Sequence, residues 1–302
     1  MKDRYGRPVD SIRISVTKRC NLSCFYCHGE GQGKSHAGEM TPAEIGRIGR
    51  VASSIGIRRA KLTGGEPLLR NDIFGIIRSL KESMREVSLT TNGILLAPFA
   101  RRLKSAGLDR VNVSLDTADR KIYERITGVD ALESVLSGIK AAVRVGIAPV
   151  KLNTVLMKGL NDSEIEDMIT LSGKLGAVLQ IIEMEAKRRD TKASFYRKYH
   201  VDLRNIESEL AARAERVEMR TMQHRMKYFV PGEVEIVRPM HNTEFCAHCH
   251  RIRLTSDGML KPCLFESRSL VDIVTPLRRG ATDSELKLLF KKAIAARKPY
   301  WT

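Results

Sequence analysis

From residue 11 to about residue 184 the chain repeats one unit, a short β-branched strand followed by an amphipathic helix. No other feature restricts the fold as strongly. The spacing predicts strands over roughly 11–16, 58–64, 86–92, 110–116, 150–157 and 178–184. Helices fill the gaps over roughly 41–56, 71–84, 97–106, 131–145 and 163–175. Thr41-Pro42 has the form of an N-cap with proline at the first helical position. Gly107, Gly146 and Gly176 stand where helix C-caps belong. Strand–helix repeats with short connections give a parallel sheet with right-handed crossovers.

Strands covered by helices on both faces read as continuous apolar runs. Here they alternate. Ile12, Ile14 and Val16 oppose Arg13, Ser15 and Thr17; Val87 and Leu89 oppose Ser88, Thr90 and Asn92. Val111, Val113 and Leu115 oppose Asn112, Ser114 and Asp116, and Leu152 opposes Lys151 and Asn153. Such alternation sends one set toward the helices and the other to the opposite face. That second face carries Ser, Thr and Asn rather than rows of Glu and Lys, which suits a polar lumen better than open water. The expected fold is α/β, a partial (β/α)6 TIM-type barrel over residues 1–185; an open doubly wound sheet is the alternative. Past residue 185 come a basic loop, a helix, two strands joined by Pro231-Gly232, and a hairpin turning at Asp257-Gly258. Residues 186–302 are expected to form a small C-terminal region packed on the barrel mouth.

All six cysteines fall into two trios: Cys20, Cys24 and Cys27, then Cys246, Cys249 and Cys263. The first trio, "CNLSCFYC", follows the first strand at the end where parallel barrels build their sites. The hairpin brings Cys263 back beside Cys249. Structural zinc takes four ligands and disulfide frameworks take pairs. Three thiolates suit an iron–sulfur cluster with one iron left open; zinc completed by His28 or His36 is the alternative. The net charge of +17 favours an anionic partner. Aromatics are only 5% and the cations are spread along the chain, which favours a phosphorylated small molecule over nucleic acid. No apolar run is long enough to cross a membrane, and the N-terminus has no signal-peptide core, so a cytoplasmic protein is expected.

CxxxCxxC with an aromatic before the third cysteine, followed by "LTGGEPLLR" at 62–70, resembles the radical S-adenosylmethionine (SAM) superfamily. Within it, "FCAHCHRIRLTSDGMLKPCLF", together with "RISVTKRCNLSCFYC", "TTNG", "VNVSLD" and "KLNTVLMKG" in that order, resembles the GTP 3′,8-cyclase family. The resemblance implies two [4Fe–4S] clusters. Cys20, Cys24 and Cys27 would bind the first, with SAM at its open iron and Tyr26, Gly65 and Ser114 contacting SAM. Cys246, Cys249 and Cys263 would bind an auxiliary cluster whose open iron meets guanine. Arg13, Lys61, Thr90, Lys151, Arg251 and Arg253 would surround GTP.

The reaction so implied joins ribose C3′ to guanine C8. Its product is (8S)-3′,8-cyclo-7,8-dihydroguanosine 5′-triphosphate, in the first step of molybdenum cofactor (molybdopterin) biosynthesis. It would make the chain a lyase served by a low-potential electron donor and followed by an enzyme that takes the product. A homodimer is compatible with this reading. Three positions depart from the family pattern: Gln180 stands where an arginine is common, Glu185 where a methionine is, and the chain ends "KPYWT" rather than Gly-Gly. Lys187, Arg188 and Arg189 are expected to compensate in part for Gln180. A peptide-modifying radical SAM maturase would also use both trios, but not Arg251 and Arg253 as well. A zinc-dependent RNA-binding protein has no use for the "GGEP" turn.

Overall fold

The computed structural model describes residues 1–32 and 38–299; His36 and the last three residues lie outside them. The repeat appears as six strand–helix units. Its strands are β1 (Ser11–Ser15), β2 (Arg59–Thr63), β3 (Glu86–Thr91), β4 (Arg110–Ser114), β5 (Val150–Leu156) and β6 (Val178–Glu183). Its helices are α1 (Pro42–Ser54), α2 (Ile73–Lys81), α3 (Leu96–Ser105), α4 (Arg120–Thr127), α5 (Leu132–Arg144) and α6 (Ile165–Lys174). Thr41 caps α1 in a full capping box with Glu44, and Gly107, Gly146 and Gly176 all take positive φ. The short helix α4 was not foreseen. Its sequence, "RKIYERIT", is dominated by charge, and it is held by the Asp119 cap and the buried Tyr123 and Ile126.

The second half departs from the expected packing. Its helices are α7 (Ser194–Tyr199), α8 (Arg204–Arg213), α9 (Thr243–Ala247), α10 (Val274–Arg278) and α11 (Asp283–Ala295). Its strands are β7 (Arg216–Met219), β8 (Met226–Val230), β9 (Gly232–Val237), β10 (Arg251–Leu254), β11 (Met259–Lys261) and β12 (Val271–Asp272). These strands do not sit on the mouth but extend the same sheet at both edges, in the order β12-β11-β10-β1-β2-β3-β4-β5-β6-β9-β8-β7. β10 runs parallel to β1, with Arg13 opposite Arg253, and β9 runs parallel to β6, with Gln180 opposite Glu235. The result is eight consecutive parallel strands flanked by antiparallel hairpins. β10 and β9 continue the alternation of the barrel strands, so each adds polar residues to the same lumen face.

The opposite face is the core. Ile12, Ile14, Leu62, Val87, Leu89, Val111, Val113 and Leu152 are fully buried there. They pack beneath helix stripes such as Ile45 and Ile48 of α1 and Ile73, Ile76 and Ile77 of α2. Each fully buried aliphatic side chain contributes roughly 1.5–3 kcal/mol. The lumen face curls around one cavity of about 330 Å³, lined by residues from all eight parallel strands. A flat sheet could not bring Ser11 of β1 and Asn153 of β5 to the same void.

Candidate functional site

The loop after β1 places Cys20 and Cys27 at the surface and Cys24 half-buried. Its base is stitched to the "GGEP" turn after β2. Gly65 N donates to Thr17 O at 2.9 Å and Glu66 N donates to Arg19 O at 2.7 Å. A Cβ at Gly65 would lie 2.2 Å from the Arg19 carbonyl oxygen, so only glycine allows this approach. The fully buried Glu66 accepts from Leu68 N, from Thr91 Oγ1 at 2.7 Å and from Asn92 N at 2.7 Å. Asn92 in turn donates to Asn21 Oδ1 in the cysteine loop at 2.7 Å. Thus "GGEP" and "TTNG" together fix the ends of β2 and β3 against the first trio. Tyr26 is bolted down separately: its hydroxyl donates to Asp116 Oδ2 at 2.7 Å at the end of β4. Burial pushes the Asp116 carboxyl up to about 6 despite that bond.

The second trio is held by charge. Buried Asp3 accepts from Arg7 Nε at 2.7 Å and from Arg297 Nη1 at 2.9 Å. Arg7 Nη1 then donates to the Cys246 carbonyl at 2.9 Å, and Arg297 Nη2 donates to the Cys249 carbonyl. The two ends of the chain therefore clamp the CxxC backbone between them. Burial alone would raise the Cys249 thiol, but Arg251 and Arg297 hold it below its ordinary value. Cys263, arriving on the far side of the hairpin, is raised by burial and feels both Cys249 and Cys246.

Between the trios lies the cavity. Arg13, Lys61, Thr90, Ser114, Lys151, Arg251 and Arg253 all line it, as do Tyr26, Cys246, Cys249 and Cys263. Gly65, Cys20, Cys24 and Cys27 do not. Twelve Lys and Arg meet four Glu in the lining, so the cavity suits a multiply charged anion. Burial, with Arg13 and Arg251 near, holds Lys61 well below its usual range; its amine donates to Asn112 Oδ1 at 2.7 Å. Two carboxylates stand among the cations. Glu30 bridges Arg253 at 2.6 Å and Arg13 at 3.2 Å. Glu235 pairs with Lys151, with Arg220 at 2.9 Å and with Arg225 at 3.1 Å. Burial opposes ionisation of both, yet these cations hold each carboxyl at about 2.

Arg110, Arg220 and Arg225 were not singled out from sequence. Arg220 and Arg225 flank the turn between β7 and β8, and nothing in "MRTMQHRMK" shows that this turn folds over the lumen. Both line the cavity, whereas Lys187, Arg188 and Arg189 do not. Gln180 does line it, buried on β6, as does Glu185. Glu30, Glu235 and the Asp3–Arg7–Arg297 network also went unrecognised, and Asp116 was placed on the polar face without its bond to Tyr26, because each depends on partners far away in sequence.

The residues present fit the implied groups. Among the described residues, neither cysteine trio has its sulfurs all within 4.8 Å of one another, although one histidine–glutamate group does bring its ligand atoms that close. Sulfurs on a single zinc stand roughly 3.8 Å apart. Three thiolates with a fourth position open are the donor set of an iron–sulfur cluster, and each trio offers that set. Burial, then Asp116 and the two neighbouring thiols, pushes Cys24 up to about 12, so a cationic centre is what would draw these thiolates together. In the cavity wall, buried Arg13 Nε, Thr90 Oγ1 and Arg225 Nε have no hydrogen-bond partner, leaving polar groups for a ligand.

The chain matches the Radical SAM superfamily over residues 14–172 and Molybdenum Cofactor Synthesis C over 177–302. It is 52% identical over 307 residues to a probable GTP 3′,8-cyclase of Pyrococcus horikoshii, covering 99% of this chain and 98% of that one. A probable GTP 3′,8-cyclase of Methanocaldococcus jannaschii is 46% identical, covering 100% and 99%. Among solved structures, Streptococcus suis SuiB bound to precursor peptide SuiA aligns with a TM-score of 0.68 at 17% identity, over 97% of this chain and 66% of that one. SuiB bound to S-adenosylmethionine aligns at 0.64, over 85% of this chain and 60% of that one. At such identity the likeness is one of fold.

Proposed function

The chain belongs to the GTP 3′,8-cyclase family of the radical SAM superfamily, and from that premise we propose that it converts GTP to (8S)-3′,8-cyclo-7,8-dihydroguanosine 5′-triphosphate. In this reading it is a lyase that opens molybdenum cofactor biosynthesis. A low-potential donor supplies its electrons and a following enzyme takes its product. One observation carries the reading: the cation-lined cavity has Tyr26 of the first cysteine loop in one wall and all three cysteines of the second trio in another. When bound, an iron–sulfur cluster on Cys20, Cys24 and Cys27 together with SAM supplies a carbon radical able to take hydrogen from a ribose carbon.

The chain's own residues bind, orient and enclose. Tyr26, fixed by Asp116, and Ser114 at the end of β4 line the cavity wall and would contact SAM. Arg13, Lys61, Arg251 and Arg253 offer charge-assisted donors to the phosphates. Thr90 has a hydroxyl free for the nucleotide. Arg220 and Arg225 take the place of the arginine absent at Gln180. Cys246, Cys249 and Cys263 would hold a second cluster against the base, with Arg7 and Arg297 fixing two of their carbonyls. Held between these walls, the ribose has one direction in which to present its hydrogen, and the lumen keeps out solvent that would quench a radical. The test is anaerobic incubation with SAM, a reductant and each nucleoside triphosphate in turn, followed by product mass analysis. A GTP-specific product of unchanged mass is expected; modification of a peptide instead would point to the maturase reading.

A further inference from the structure

Among the described residues, one cluster of metal-binding side chains other than the two trios stands beside the second of them, on the outer flank of the cavity wall. We infer that His224, Glu244 and His248 form a binding site for one divalent transition-metal ion, zinc by ligand type. Glu244 and His248 are four apart on α9 and its C-cap, so they share a face. His224 reaches them from the turn between β7 and β8. Ligand atoms of the three residues lie within 4.8 Å of one another. His224 Nδ1 is 3.4 Å from Glu244 Oε2.

The surroundings are built for this meeting. Gln223 and His224 both take left-handed backbone, with φ of 63° and 45°, a conformation that costs side-chain-bearing residues energy and concentrates at functional sites. Gln223 N donates to His248 O at 2.7 Å, tying the strained turn to α9. The two imidazole rings stack nearly parallel, with an angle of 17° between their planes. His248 Nδ1 lies 3.0 Å from the Glu244 main-chain oxygen. The same Nδ1 lies 3.4 Å from Glu244 Oε2, as His224 Nδ1 does, so both imidazoles converge on one carboxylate oxygen. Two imidazoles and one carboxylate make a zinc site with its fourth position open.

The ion would join two parts of the cavity wall. The turn carries Met222 and Gln223, which line the cavity, and the Met222 sulfur accepts from Arg251 Nη2 at 3.8 Å. The helix α9 carries Cys246. Metal here holds the lining turn against the helix that bears the cysteine, and its binding does not depend on the cyclase reading.

The test is equilibrium dialysis of zinc against anaerobic protein with its iron and sulfide content measured before and after. One zinc per chain is expected with iron unchanged. His224→Ala and His248→Ala should each weaken zinc binding about a hundredfold or more at wild-type iron content, and Glu244→Gln about tenfold. The thermal midpoint should rise with zinc in wild type only. Zinc binding equal in wild type and variants, or uptake that matches iron lost, overturns the site. If a histidine variant fails to fold, Glu244→Gln, altered at an exposed side chain, decides alone: unchanged affinity there refutes the proposal.

Discussion

The two cysteine trios are held by opposite means. The first sits on a loop pinned by main-chain hydrogen bonds and one buried carboxylate, with two of its cysteines at the surface. The second is locked from behind by a buried ion network joining Asp3 and Arg7 to Arg297, just past the last helix. Amide bonds to a loop leave cysteines accessible, as an electron entry point requires. Buried arginines on the carbonyls immobilise the second trio, as suits a wall against which a substrate is positioned. In the proposed reaction the difference would give chemistry to the first and placement to the second.

The sharpest break between them comes from deletion. Replacing Cys20, Cys24 and Cys27 by Ala should remove all cleavage of SAM, while iron at the second trio is retained; iron content equal to wild type would contradict this. Next is the network itself. Asp3→Asn leaves Arg7 and Arg297 buried without their carboxylate, which costs about 3–5 kcal/mol. Thermal unfolding should show that loss, and iron should leave the second trio before the first.

A smaller effect is expected within the cavity. Arg253→Ala should lower kcat/KM for GTP by roughly ten- to a hundredfold, since a charge-assisted bond is worth about 1.5–3 kcal/mol. Arg253→Lys should restore little, because lysine lacks the planar fork. SAM cleavage measured in parallel should stay near wild type; loss of iron would show that Arg253 serves the hairpin instead.

The smallest effect is a pH dependence. Glu235 is held at about 2 in the fold, below the ordinary value of about 4.3. A depressed carboxyl contributes stability that is fully present above its unfolded value and is lost as pH falls toward its folded one. Wild type should therefore lose stability between about pH 4.5 and pH 2 more steeply than Glu235→Gln. Parallel acid-unfolding curves would remove Glu235 from the account.

Much of this was legible before any coordinates. Alternation along β1, β3, β4 and β5 placed Arg13, Thr90, Ser114 and Lys151 on one polar face, because period two is a local property. The cysteine spacings announced both trios for the same reason. What stayed hidden is non-local. That β10 lies beside β1, so that Arg253 faces Arg13, depends on a pairing some 240 residues apart in sequence. Asp3, Arg7 and Arg297 look like ordinary surface charge until the two ends of the chain meet. Arg220 and Arg225 sit in a segment whose composition reads as a solvated loop, and only the curl of the sheet turns them inward.

The measurement that bears most directly on the division of labour uses the second trio alone. With Cys246, Cys249 and Cys263 replaced by Ala, anaerobic protein supplied with SAM, dithionite and GTP is analysed for both sets of products. The account predicts that methionine and 5′-deoxyadenosine still form while the cyclised nucleotide does not. Cyclised nucleotide at wild-type yield would contradict it, and so would complete loss of SAM cleavage with the first trio's iron still in place.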